Sequence, residues 1–181
     1  MTGIRISKRL SYWLRHAPEA GGLQLDDGGW ALTERILEAL RKSKLPTSMA
    51  SLELLVASSD KQRFELSEDG TRIRARQGHS VKVDGDWPVT APPPCLFHGT
   101  TDRFLPSIMR QGLLRGGRHH VHLSSTIEAA EAVGARRGRP VVLSVAALSM
   151  AQAGFIFRLS SNGVWLTDGV PPTYLQKLQQ F

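Results

Sequence analysis

Cysteine is almost absent: Cys95 is the only one in 181 residues. A lone thiol closes no internal disulfide, excludes a thiolate-rich zinc or iron–sulfur site, and fits a reducing, cytoplasmic setting. Long apolar runs are missing too. The stretch from Pro140 to Ala153 falls well short of the roughly 20 apolar residues that a membrane span takes, so no membrane partner is expected. The N-terminus carries Arg5, Lys8 and Arg9 with no apolar segment or small-residue cleavage site behind them, which argues against secretion. Aromatic residues make up only 7%, but apolar residues reach 41% and charged residues 22%. A packed core is therefore expected, and wholesale disorder is not.

Carboxylates are scarce in one half. Residues 1–90 hold fourteen Lys/Arg against twelve Asp/Glu, whereas residues 91–181 hold nine against four, and eight of those nine cations are arginine. So few carboxylates leave the second half poorly equipped for paired-carboxylate catalysis or for hard-metal binding. Arginine offers a planar, permanently charged fork that matches phosphate oxygens, so polyanionic partners are expected. No Walker A sequence occurs, and the glycines of residues 112–117 (GLLRGG) do not follow a dinucleotide fingerprint.

Residues 83–94 (VDGDWPVTAPPP) break all periodicity with four prolines in twelve residues, which sets a linker between residues 1–82 and 95–181. In the first part, Ile6, Leu10, Trp13, Leu14 and Ala17 mark an amphipathic helix. Leu32, Ile36, Leu37 and Leu40 mark a second, and a third follows Pro46, with Thr47 or Ser48 as N-cap. Residues 63–66 and 71–75 alternate polar with apolar around a Gly-containing turn, the pattern of a hairpin. Three helices and a hairpin follow the order of a winged helix. In the second part, strands are expected at residues 95–98, 120–123, 141–145, 155–159 and 163–166. Helices are expected at 103–110 and from a capping box at Ser125-Thr126-Ile127-Glu128 onward. The fold class is α+β with mostly antiparallel strands.

Several residues invite chemistry, and each has a plainer reading. Arg15 and His16 end the first helix, where a cation complements the macrodipole. Arg63 opens a hairpin strand, where a charge protects a sheet edge. His120 and His122 alternate onto one strand face, but no third or fourth zinc ligand follows nearby, so hydrogen-bonding histidines beside a ligand cleft are the better reading and no metal is expected. Glu128 and Glu131 fall in the first turns of a helix, where they cap it. Arg136, Arg137 and Arg139 exceed what complementing a helix C-terminus requires, and a phosphate-bearing ligand is the alternative.

Eight segments in order resemble the NAD-dependent RNA 2′-phosphotransferases, also called tRNA 2′-phosphotransferases. They are residues 7–16 (SKRLSYWLRH), 27–30 (DGGW), 61–64 (KQRF), 73–80 (IRARQGHS), 96–100 (LFHGT), 120–124 (HVHLS), 138–143 (GRPVVL) and 162–167 (NGVWLT), and they cover nearly the whole chain. The resemblance implies an N-terminal winged-helix lobe that binds RNA and a C-terminal ADP-ribosyltransferase-like lobe that binds NAD as co-substrate. It implies removal of an internal 2′-phosphate, such as tRNA splicing leaves, in two steps. The phosphate attacks NAD and expels nicotinamide. The ribose 2″-hydroxyl then attacks the bridging phosphate, giving 2′-OH RNA and ADP-ribose 1″,2″-cyclic phosphate. The family's Arg-His-Arg-Arg tetrad maps onto Arg15, His16, Arg63 and Arg136, with Arg137 the alternative for the last. For NAD the resemblance points to His98, Gly99 and Thr100, then to His122, Ser124, Asn162 and Gly163.

The tetrad has a physical sense of its own. NAD and phosphorylated RNA are both anions, and three arginines neutralise them together. A histidine ordinarily titrates near neutrality, which suits His16 to activating the ribose hydroxyl. Many ADP-ribosyltransferases that modify proteins carry a glutamate on a late strand, and residues 162–166 have none. Two other readings stay open: an NAD-sensing winged-helix regulator that binds nucleic acid, and an ADP-ribosyltransferase acting on terminal phosphates or on protein. A monomer is expected, since no heptad or exposed apolar strip is apparent.

Overall fold

Apolar residues that return every three to four positions build the first helix, α1 (Thr2–Arg15), with Ile6, Leu10, Trp13 and Leu14 buried along one face. The computed structural model describes residues 2–59, 62–83 and 87–178, and the chain divides into two units, Met1–Asp86 and Trp87–Phe181. Lys61 of the KQRF segment and residues 84–86 of the expected linker lie outside the described residues.

In the first unit α1 is followed by β1 (Trp30–Leu32), α2 (Thr33–Lys42), α3 (Met49–Ala57), β2 (Phe64–Leu66) and β3 (Arg72–Ala75). Ser48 is the N-cap of α3, its Oγ accepting from the Ser51 amide at 3.2 Å. The three strands form one antiparallel sheet in the order β1-β3-β2. At the hairpin turn the Asp69 carboxylate accepts from Ser67 Oγ at 2.6 Å and from the Thr71 amide at 3.0 Å, and these bonds, Ser67 first, hold its pKa down to about 2. Leu32, expected on the second helix stripe, instead ends β1 and is 49% exposed. The cause is pairing: Leu32 lies opposite Arg72, and the Thr33 amide donates to the Thr71 carbonyl at 2.9 Å, so the helix starts only at Thr33. The core joins the α1 stripe to Ile36, Leu40, Leu52, Phe64 and Ile73.

The second unit runs β4 (Leu96–Thr101), α4 (Leu105–Gln111), β5 (Leu113–Leu114), β6 (Val121–Leu123), α5 (Ile127–Gly134), β7 (Pro140–Val145), α6 (Ala147–Gln152), β8 (Arg158–Leu159), β9 (Trp165–Thr167), β10 (Gly169–Val170) and β11 (Leu175–Lys177). Its sheets, β11-β7-β4, β6-β9-β8 and β10-β5, are small and antiparallel, so the whole is α+β. Phe97 and Ser124 exchange backbone hydrogen bonds of 2.9 and 2.8 Å, which tie β4 to the end of β6. The cap of α5 falls one residue later than expected, at Thr126, whose side chain accepts from the Ala129 amide at 3.2 Å. The Pro-rich segment is held by the second unit: Pro88 accepts from Leu159, Thr90 donates to Phe157, and Pro94 accepts from Leu148. Proline cannot donate, but its carbonyl accepts as well as any other. No helix among the described residues is long and apolar enough to cross a membrane.

One contact sets how the second unit packs. The expected strand ends at His98, but β4 continues through Gly99 and Thr100 to Thr101, pairing with β7 throughout. Helix α5 lies directly on Gly99, where a Cβ would sit 1.7 Å from the Ala130 carbonyl oxygen and 2.6 Å from its carbon. Gly134 returns the fit, since a Cβ there would be 2.6 Å from the Thr100 oxygen. Backbone meets backbone, with no flexible side chain to yield. The substitution Gly99→Ala is therefore expected to cost about 3 kcal/mol or more, because strained overpacking has no route to relax. Thermal denaturation of the protein without ligand checks this, and an unchanged midpoint would contradict it.

Candidate active site

In the first unit, helix α1 ends at Arg15, with His16 one residue beyond. The end is closed by a later segment. The Ser80 amide donates to the Arg15 carbonyl at 2.8 Å, and the Val81 amide reaches the same oxygen at 3.3 Å. Ser80 Oγ lies 2.9 Å from His16 Nδ1 and donates to the Arg15 carbonyl at 3.4 Å. Gly78, at φ +87°, runs along the Arg15 guanidinium, and a Cβ there would be 3.7 Å from it. His79 between them is buried.

The same segment anchors Arg63, whose carbonyl accepts from the Arg76 amide at 3.0 Å. Four residues separate Arg76 from Ser80, so at most about 14 Å of chain runs between the anchor of Arg63 and that of Arg15. Residues 15, 16 and 63, far apart in sequence, are thus held by one strand exit. Arg15 and Arg63 are half-buried and His16 is exposed.

In the second unit, His98 on β4 is bonded through Nδ1 to the His122 carbonyl at 3.2 Å. The Phe97–Ser124 exchange beside it brings His98, His122 and Ser124 together. Thr100 is buried on the same strand. Asn162 and Gly163 lie in the turn before β9, where Ser160 Oγ donates to Asn162 Oδ1 at 2.8 Å and the Gly163 amide donates to the Ser160 carbonyl at 2.9 Å. Gly163 needs its glycine, at φ +79°.

Arg136 and Arg137 sit on an exposed 3-10 turn after α5. Arg118, on the surface, has its pKa lowered by partial desolvation and then by repulsion from Arg137 and Arg136. It in turn repels a proton from His98. His98, Arg118, Arg136 and Arg137 are therefore one electrostatic group, and among the described residues no carboxylate is one of the charges acting on His98 or Arg118.

His120 differs from expectation. It precedes β6 instead of lying within it, its Nε2 is 3.8 Å from Asp168 Oδ1, and its ring meets Trp87 edge-on at 5.5 Å. Among the described residues no His, Cys, Asp and Glu group is suited to a metal ion.

The model of the RNA 2′-phosphotransferase, Tpt1 / KptA family matches residues 2–169. A "Probable RNA 2′-phosphotransferase" of Agrobacterium fabrum is 57% identical over 169 residues, 93% of this chain and 91% of that protein. A protein with the same description from Nostoc punctiforme is 51% identical over 175 residues, 97% of both chains, and one from Streptomyces griseus is 49% identical over 179 residues, 95% of both. The chain belongs to the RNA 2′-phosphotransferase family.

The second unit's arginine group stands beside His98 of β4. Helix α5 occupies the space that the missing side chain of Gly99 leaves. Two residues escaped sequence reasoning. Arg118 is hidden among eight similar arginines, and only the fold brings it to Arg136. Ser80 falls in the family-like segment 73–80, but no periodicity links it to His16 sixty-four residues earlier.

Burial first, then Arg118, disfavours the cationic form of His98, so it titrates below its usual 6.5 and is neutral at pH 7. As pH falls from 6.5 toward that lowered value, the unfolded chain takes up a proton that the folded one refuses, and stability drops. An NMR titration is expected to place the His98 midpoint below 6.5, and Arg118→Ala is expected to raise it. A midpoint at or above 6.5 would contradict the grouping.

Proposed function

We propose that the chain transfers an internal RNA 2′-phosphate to NAD, with a winged-helix first unit receiving RNA and an ADP-ribosyltransferase-like second unit holding NAD. The observation that carries this reading is the closure of α1, where Ser80 grips both the Arg15 carbonyl and the His16 ring. Arg15, His16, Arg63 and Arg136 are the catalytic residues. His98, Thr100, His122, Ser124, Asn162 and Gly163 face the dinucleotide, and Gly99 serves by letting α5 pack behind them.

In the first step the arginines neutralise the 2′-phosphate and orient it. A phosphate oxygen bonds to the ribose carbon bearing nicotinamide, and nicotinamide leaves with the electron pair of the broken bond as a neutral base. Proximity supplies most of the rate there, because nucleophile and leaving group need no proton. The second step does need one. The 2″-hydroxyl attacks phosphorus, the bond to the RNA 2′-oxygen breaks, and that oxygen takes up a proton. His16 accepts the hydroxyl proton. With Ser80 Oγ donating to the Arg15 carbonyl, its lone pair receives the His16 Nδ1 proton, which puts the basic lone pair on Nε2. Arginines disperse charge on the phosphoryl oxygens.

The variant His16→Ala is expected to slow the second step by roughly 100-fold or more, within the usual worth of a general base, and to accumulate 2′-phospho-ADP-ribosylated RNA. Quench-flow with gel separation of the RNA species reads it. A variant that stalls on untouched 2′-phosphate RNA with unspent NAD overturns the role given to His16.

A further inference from the structure

We infer that the groove between α1 and α3 binds the RNA strand flanking the 2′-phosphate, a deepening that rests on the function proposed above. The groove is open, about 1060 Å³, and none of its described lining residues is a carboxylate. Its described cations are Lys8 on α1 and Arg63, and hydroxyls line both walls, Ser7 and Ser11 from α1 and Ser51 and Ser58 from α3 and its end. Cations and hydroxyl donors are the set that phosphates and ribose hydroxyls require. Exposed Ile4 (65%) and Leu54 (68%) add apolar surface of the kind an unstacked base covers.

Position on the helix gives the groove a direction. Lys8 and Arg15 are seven residues apart, two turns along nearly the same face, with Ser11 between them. At about 1.5 Å per residue the line from Lys8 to Arg15 is about 10 Å long. Arg63 borders the groove, so the strand that leaves the phosphorylated nucleotide beside Arg63 meets the α1 wall, Ser11 and then Lys8. Lys8 contacts a neighbouring phosphate and positions the strand; it has no part in the chemistry.

The test compares a 2′-phosphorylated dinucleotide with a ten-nucleotide single strand carrying the same internal 2′-phosphate. Affinities of the full chain are read by fluorescence anisotropy, so the result does not depend on turnover. The longer RNA is expected to bind more tightly, and Lys8→Glu is expected to cut that advantage roughly three- to tenfold; Lys8→Ala is expected to lower the slope of log affinity against log salt by about 0.7, one phosphate contact on a single strand. Lys8 is exposed, so neither change threatens the core. Ser51→Asp, on the opposite wall, is expected to act in the same direction. If all three variants keep the wild-type advantage and slope, the groove proposal is overturned. Absence of turnover by the wild type on both RNAs with NAD would instead count against the proposed function, while the binding comparison still decides the groove.

Discussion

The segment 76–80 decides what the first unit presents. A helix C-terminus leaves carbonyls without partners, and here the Arg15 carbonyl receives the amides of Ser80 and Val81. That closure turns a loose helix end into a fixed platform, with the Arg15 side chain against Gly78 and the His16 ring bonded to Ser80. Because the same few residues also hold the Arg63 backbone, three side chains expected to meet one phosphate depend on a single strand exit. Hydrogen bonds with so many shared partners are costly to break one at a time.

Charge is handled differently in the two units. In the first, arginines are matched: Arg74 and Arg76 pair with Glu65, Arg72 with Asp26, and Arg35 and Lys42 with Glu38, whose pKa falls through its bond to Lys42. The pairs of Glu38 and Asp26 are exposed and add little stability, whereas Glu65 and its two arginines are largely buried. In the second, Arg118 faces Arg136 and Arg137, whose repulsion adds to desolvation in lowering its pKa.

Much of this was legible in the sequence, for reasons specific to each element. The α1 stripe, the α3 cap and the hairpin rest on local periodicity and turn chemistry, and they fall where expected. Local signals fail where pairing partners are distant. The β1 strand reads as a helix start, since three residues carry no period and only β3, forty residues on, makes them a strand. The strand β11 and the short pair β5–β10 are invisible for the same reason. Glycine misled in one place: Gly99 looks like a strand end, yet β4 runs on through it and the α5 backbone fills the space of its missing side chain. At the candidate site, the identities of Arg15, His16 and Arg63 came through the family-like segments, but the bonds that hold them came only with the fold.

The central claim is that the phosphate leaves RNA for NAD and for nothing else. The direct measurement follows a radiolabelled phosphorus in the internal 2′-phosphate of a short RNA during a single turnover, with and without NAD. The account predicts no loss of label without NAD and, with it, transfer of all the label into ADP-ribose 1″,2″-cyclic phosphate, one nicotinamide appearing per label moved. Label released as inorganic phosphate, or retained on RNA while NAD is consumed, would contradict it.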